Sequence, residues 1–197
     1  MIARSLLLFA AIALAAAPAP AFDAGETFRQ GRFLMSVEGG LGTQDNFSNG
    51  VETGFEFWNA GVRFSLVPFA PSFEGTLLYG ALETGLEPFY QRYTEPRRFH
   101  FGGLAAVLRY HFLGLGRVVP YIEMFGAAGA TDLRSVEIDS DFTFLVQGGV
   151  GLSVFLTDAV ALYGGYRLQH VSNGNTSQPN RGFESQTGVF GLSVFFP

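Results

Sequence analysis

The sequence predicts an all-β chain closed as an eight-stranded antiparallel up-and-down transmembrane β-barrel, and three observations carry that prediction. Hydropathy of period two runs through long segments, charge is scarce in a chain rich in Gly and Phe, and an export signal precedes a sequence without cysteine. Of 197 residues only 15% are charged and 48% are hydrophobic, with Gly 26, Phe 22 and Cys 0. Such strands suit a lipid-facing exterior and a packed or polar lumen. A soluble periplasmic β-sandwich shares the alternation and the export signal, but rarely needs strands of this length with so few charges on either face.

The N-terminus sets the compartment. Arg4 supplies a sparse positive start, Leu6 to Ala17 is uncharged and apolar, and Ala19-Pro20-Ala21 has the small-x-small form of a cleavage site. Residues 1–21 are therefore expected to be a signal peptide, and residues 22–197 one outer-membrane barrel domain. With no cysteine, the exported chain must be stable without disulfides. A formal net charge of -5 excludes an electrostatic grip on nucleic acid. After the signal, no apolar run approaches the roughly 18 residues of a membrane-spanning helix.

The strands follow in order. In 31–43, Phe33, Met35, Val37 and Leu41 oppose Ser36 and Glu38; in 52–67, Ala60, Val62, Phe64 and Leu66 oppose Gly61, Arg63 and Ser65. In 73–88, Leu78, Leu82 and Leu86 oppose Tyr79, Glu83 and Glu87. Segments 98–113 and 117–130 continue the series. In 142–157 the even positions are Phe142, Phe144, Val146, Gly148, Val150, Leu152, Val154 and Leu156, against Thr143, Gln147 and Ser153. Segments 159–172 and 184–196 complete the set, the smallest outer-membrane barrel size. Glu38, Arg63, Glu83, Arg109, Glu123 and Arg167 all lie opposite apolar positions, so they are expected to fill the lumen as a network of charges and hydrogen bonds.

The connections after strands one, three, five and seven read as long and polar (44–51, 89–97, 131–141, 173–183), and those after two, four and six as short (68–72, 114–116, 158). Short periplasmic turns and long outer loops then place both termini on the periplasmic side. The Gly-Leu-Ser-Val-Phe sequence occurs at 151–155 and again at 191–195, an echo of strand usage. The ending Phe195-Phe196-Pro197 resembles the terminal aromatic of outer-membrane barrels, with Pro197 as a departure.

Chemistry concentrates in the last hairpin. By parity His170, Ser172 and Glu184 share the apolar, lipid-facing side with Leu162, Leu168 and Phe190. Polar groups on that face are costly at the midplane and cheap near the interface. His170 lies ten residues beyond Val160 on a strand running outward, and at about 3.3 Å per residue with a tilt near 45° it reaches the outer edge of the ~25 Å apolar band. His170 and Ser172 are two positions apart, about 6.5 to 7 Å at their Cα atoms, so imidazole and hydroxyl are able to meet. Beside them Glu184 can orient the imidazole, while Asn180 and backbone N–H groups near Asn173 and Gly174 are candidate oxyanion donors.

At these residues the chain resembles the lipid A 3-O-deacylase family, the PagL-like outer-membrane barrels. The family's H-x-S-N followed by N-x-G-x-E is matched by His170, Ser172, Asn173, Asn180, Gly182 and Glu184, and the His-to-Glu separation is kept. The motif covers about the last quarter of the chain. The resemblance implies Ser172 as nucleophile, His170 as general base, Glu184 as orienting acid and Asn180 as oxyanion contributor. It also implies the substrate, a 3-O-acyl ester of lipid A in the outer leaflet. By their even positions on strands six to eight, Leu152, Leu162, Leu168 and Phe190 are expected either to lie along the acyl chains or to be ordinary lipid-facing residues.

Other constellations carry less. His100 and His111 differ in parity and have no metal-ligand spacing, so both are expected to be structural and no metal or cofactor is expected. Gly151-x-Ser153 and Gly191-x-Ser193 lack the second Gly of a nucleophile elbow. Two other functions share the architecture: a non-catalytic structural or adhesion barrel, and an acyltransferase that adds a chain to lipid A. No pattern specifies an oligomeric state.

Overall fold

The computed structural model describes residues 22–45 and 53–197. The expected signal peptide lies outside the described residues. A four-residue helix α1 (Ala24–Thr27) precedes eight strands: β1 (Phe33–Gln44), β2 (Glu56–Leu66), β3 (Gly80–Glu95), β4 (Phe99–Phe112), β5 (Val118–Thr131), β6 (Phe142–Phe155), β7 (Val160–Ser172) and β8 (Phe183–Phe195). Each strand pairs antiparallel with the next, and β8 pairs with β1 to close the barrel. Closure leaves no edge whose N–H and C=O groups would meet hydrocarbon.

Side-chain parity is as the sequence implies. On β2, Phe57, Asn59, Arg63 and Ser65 are buried in the lumen while Trp58, Val62, Phe64 and Leu66 are exposed outside. On β7, Tyr163, Arg167, Gln169 and Val171 are buried, and Leu162, Tyr166, Leu168 and His170 face out.

Strand three departs from expectation. The sequence reading places it at 73–88, but β3 runs from Gly80 to Glu95. Pro88, which has no N–H to give a ladder, makes residues 89–95 look like a loop. In the barrel Pro88 faces outward opposite Leu104, and near it pairing with β2 lapses just between Gly61↔Phe89 and Phe64↔Leu86 before resuming. The expected long outer loop is therefore the short turn 96–98, and the periplasmic connection 67–79 is long instead. Strict alternation of short and long connections fails at these two places.

The lumen is packed in three layers. At the end that holds the chain termini, α1 tucks into the barrel, capped by Asp23, whose Oδ1 accepts from the Glu26 N–H at 3.0 Å. Phe28 is wholly buried there against Phe155 and Phe195, with ring centroids 5.7 and 5.1 Å away. At the outer end a second apolar cluster, with Phe55, Tyr93, Phe101, Leu133, Ile138, Val171 and Phe183 among its members, closes the barrel.

Between these layers lies the charge network. Arg63 donates to Glu87 at 2.7 Å and to Glu38 at 2.9 Å. Arg167 joins Glu38 at 2.8 Å to Glu123 at 2.7 Å, and Arg109 donates to Glu123 at 2.8 Å. Tyr163 donates to Glu38 at 2.9 Å, and His111 meets Glu83 at 2.8 Å. All of these side chains are buried. The six charged residues expected in the lumen are there, joined by Glu87 and His111. Room for them comes partly from glycine: a Cβ on Gly151 would stand 2.3 Å from the Tyr121 hydroxyl.

Removing one partner from such a network strands the other charge in a dry interior, which typically costs about 3–5 kcal/mol. Arg167→Met, which takes one of the cations from both Glu38 and Glu123 and leaves them to Arg63 and Arg109, is expected to lose about 3 kcal/mol, the lower end of that range, in urea unfolding of the barrel in vesicles. Arg29→Ala, which removes an exposed pair with Glu26, is expected to lose under about 1 kcal/mol.

Candidate active site

The β7–β8 hairpin opens at the outer end of the barrel. Antiparallel register sets His170 directly opposite Glu184, with Val146 of β6 on its other side, and Ser172 stands opposite Phe144. His170, Ser172 and Glu184 all occupy outward positions of their strands. The Val146 and Leu168 side chains lie exposed on the wall beside and below them.

His170 Nδ1 and Glu184 Oε1 are 3.2 Å apart. A carboxylate only accepts, so the bond places the proton on Nδ1 and turns Nε2 into the acceptor available to a hydroxyl. The His170 side chain is 49% exposed and that of Glu184 23%, consistent with a position at the rim of the apolar band.

The loop 173–182 folds on itself through the motif residues. Gly174, Asn175 and Gly182 have positive φ angles of 64°, 63° and 67°. The Asn173 carbonyl accepts from Thr176 Oγ1 at 2.8 Å, and its buried side-chain amide donates to Ser177 O and Oγ at 3.0 and 2.9 Å. The Asn173 N–H donates to Asn180 Oδ1 at 2.9 Å, and Asn180 Nδ2 donates to Asn175 Oδ1 at 3.1 Å.

Gly182 approaches the imidazole most closely. A Cβ there would stand 2.9 Å from His170 Cε1 and 3.3 Å from Nε2, at a φ that side chains rarely adopt. The glycine of N-x-G-x-E thus lets the loop backbone lie along the Nε2 edge of the ring.

Contacts from distant segments were not visible in the sequence. Asp45, just past β1, donates its N–H to the Glu184 carbonyl at 3.0 Å, and its carboxylate accepts from Gln186 Nε2 at 2.9 Å. Gln186 Oε1 in turn accepts from the Tyr166 hydroxyl at 2.7 Å. Loop 132–141 braces loop 173–182 through an Ile138↔Asn180 bridge and through the Arg181 N–H, which donates to Glu137 O at 2.8 Å. None of these partners falls at a spacing that local pattern reading would connect.

His100 contacts Tyr90 and Arg92 on the outer wall, away from the hairpin, and His111 belongs to the lumen network. Among the described residues there is no group of three or more His, Cys, Asp and Glu side chains able to hold a metal ion.

The fold and this outward-facing hairpin define an eight-stranded outer-membrane barrel with a polar cluster at its outer rim. Residues 60–193 match the model of the family described as lipid A 3-O-deacylase (PagL), and the chain belongs to that family. A search of curated proteins finds no match. Among solved structures, that of the outer membrane enzyme PagL is similar, with a TM-score of 0.57 at 21% identity, covering 78% of this chain and 97% of that one. Neisserial surface protein A matches with a TM-score of 0.56 at 17% identity, covering 83% and 97%. At these identities both likenesses concern the fold.

Gly182→Ala is expected to leave a folded barrel yet displace either the loop or the imidazole, lowering ester hydrolysis by about 10²-fold. Heat-dependent gel mobility of the barrel, read alongside turnover, checks both halves.

Proposed function

We propose that the protein is an outer-membrane serine esterase that removes the 3-O-linked acyl chain from lipid A, with Ser172, His170 and Glu184 as its triad. Membership of the lipid A 3-O-deacylase family selects this reading over the structural barrel and the acyltransferase. The observation in the molecule that supports it most is the outward His170–Glu184 bond at 3.2 Å, two residues from Ser172 on the same face.

The chemistry follows the acyl-enzyme scheme. Ser172 Oγ attacks the ester carbonyl carbon as His170 Nε2 takes its proton, and Glu184 stabilises the imidazolium that forms. Collapse of the tetrahedral oxyanion breaks the ester C–O bond, and the departing sugar oxygen takes the proton from His170 to leave as a hydroxyl. Water, deprotonated by His170, then attacks the acyl-enzyme and releases the fatty acid with Ser172 restored.

The loop's bonding narrows the oxyanion assignment. Because the Asn173 N–H donates to Asn180 and its amide to Ser177, Asn173 acts as a loop former in this reading. The donors assigned to the oxyanion are Gly174 N–H and Asn180 Nδ2, which carries two hydrogens and spends one on Asn175. Below the triad, a concavity of about 260 Å³ lined by Leu41, Gly42, Thr43, Tyr166, Gln186, Thr187 and Gly188 lies on the lipid-facing wall, where an acyl chain would rest.

Expression in an outer-membrane host followed by lipid A mass analysis tests the reading. Wild type is expected to lower the mass by one acyl chain and release a hydroxy fatty acid, while Ser172→Ala yields a folded barrel and unchanged lipid A. A mass that rises would indicate acyl transfer, and unaltered lipid A with wild type would defeat the assignment. Asn180→Ala is expected to cost about 10²- to 10³-fold in turnover, the usual effect of one lost oxyanion donor.

A further inference from the structure

Glu137 is only 2% exposed, yet among the described residues it forms no ion pair. Its carboxylate is held by neutral donors alone: Oε1 accepts from Gln44 Nε2 at 3.1 Å and from the Thr53 N–H at 3.0 Å, and Oε2 accepts from Thr53 Oγ1. Gln44 ends β1 and Thr53 belongs to the first outer loop, whereas Glu137 belongs to the third. Gln44 also spends its own Oε1 on the Gly54 and Phe55 N–H groups, at 2.8 and 3.0 Å, so residues 53–55 are bound closely to this point.

The backbone of the same residues grips the fourth outer loop, which carries the motif asparagine. Glu137 O accepts from Arg181 N–H at 2.8 Å, Ile138 bridges to Asn180, and Asp139 N–H donates to Pro179 O at 3.3 Å. Asp139 O additionally accepts from Ser177 Oγ at 2.5 Å, the same hydroxyl that receives the Asn173 amide. Residues 137–139 thus form a rail along 177–181, and one buried carboxylate pins that rail to the first loop.

We infer that Glu137 is a positioning residue for ester hydrolysis, clamping three outer loops so that Asn180 is held against the reacting centre. Burying an anion without a cation is expensive, and hydrogen bonds to a charged acceptor are shorter and more directional than neutral ones. A clamp that needed only to be stable could be built more cheaply from apolar residues. Although burial pushes its pKa up, the bonds from Thr53 and Gln44 outweigh it and hold the Glu137 carboxyl below the ordinary carboxylate range, so the anion persists at neutral pH. The inference rests on the triad and on Asn180 as an oxyanion donor.

The test uses the full barrel in detergent with solubilised lipid A. Glu137→Ala is expected to lower kcat by about 10- to 100-fold with KM little changed, since the lipid-facing wall is untouched. Glu137→Gln is expected to restore most of the rate, because its Oε1 still accepts from Thr53 N–H and Gln44 while its amide can donate to Thr53 Oγ1. Combined with Asn180→Ala, the Glu137→Ala change should cost almost nothing further, as residues acting through one another are not additive. Amide hydrogen exchange at Thr53 and Arg181, read on the same variants, should accelerate in Glu137→Ala alone. Unchanged exchange, a full multiplicative loss in the double variant, or a Gln variant as impaired as the Ala variant would overturn the inference. Hydrolysis that survives Ser172→Ala would instead overturn the catalytic reading beneath it, while the exchange data would still report the clamp.

Discussion

Closing an antiparallel sheet with only eight strands leaves an interior just wide enough for side chains. That constraint governs the rest of the molecule. The inward positions must fill a narrow dry space, and here they do so with guanidinium and carboxylate groups that satisfy one another, notably Arg63 and Arg167 converging on Glu38. Apolar plugs seal the network at both ends, one supplied by Phe28 beside α1 and the other by aromatic residues such as Phe55 and Phe183. A lumen packed in this way has no space for a glycolipid, so a barrel of this size must present any lipid chemistry on its outer wall.

Working on the outside brings its own physical demand, because polar side chains facing hydrocarbon are costly. The protein meets it by height. His170, Ser172 and Glu184 sit at the outer ends of β7 and β8, and directly below them the wall returns to Leu168, Gly188 and Phe190. An acylated sugar at the membrane surface spans the same boundary, its ester at the polar edge and its chain in the hydrocarbon. The position that makes this polar cluster tolerable is also the one at which an ester of that kind would lie.

The loops convert that placement into geometry. Antiparallel pairing alone sets Glu184 across from His170, whereas the Nε2 edge of the ring and the donors around it depend on the fold of loop 173–182. That loop is held internally by Asn173 and Asn180 and externally by residues 137–139, which are themselves tied to the first loop. The β7–β8 hairpin is consequently one part of an interlocked outer surface.

The sequence by itself determined the barrel, the side of each strand that faces lipid, the occupants of the lumen network and the sharing of one face by His170, Ser172 and Glu184. All of these follow from a side-chain period of two, a local property that survives errors of several residues in strand ends. Tertiary structure alone decided the extent of β3, because Pro88 mimics a strand end until neighbouring strands show that its missing N–H is tolerated. It also decided the insertion of α1, whose four residues are too few to show a period, and the contacts of Glu137 and Asp45, whose partners lie far along the chain. Contacts of that kind depend on which loops closure brings together, and no local pattern in the chain records them.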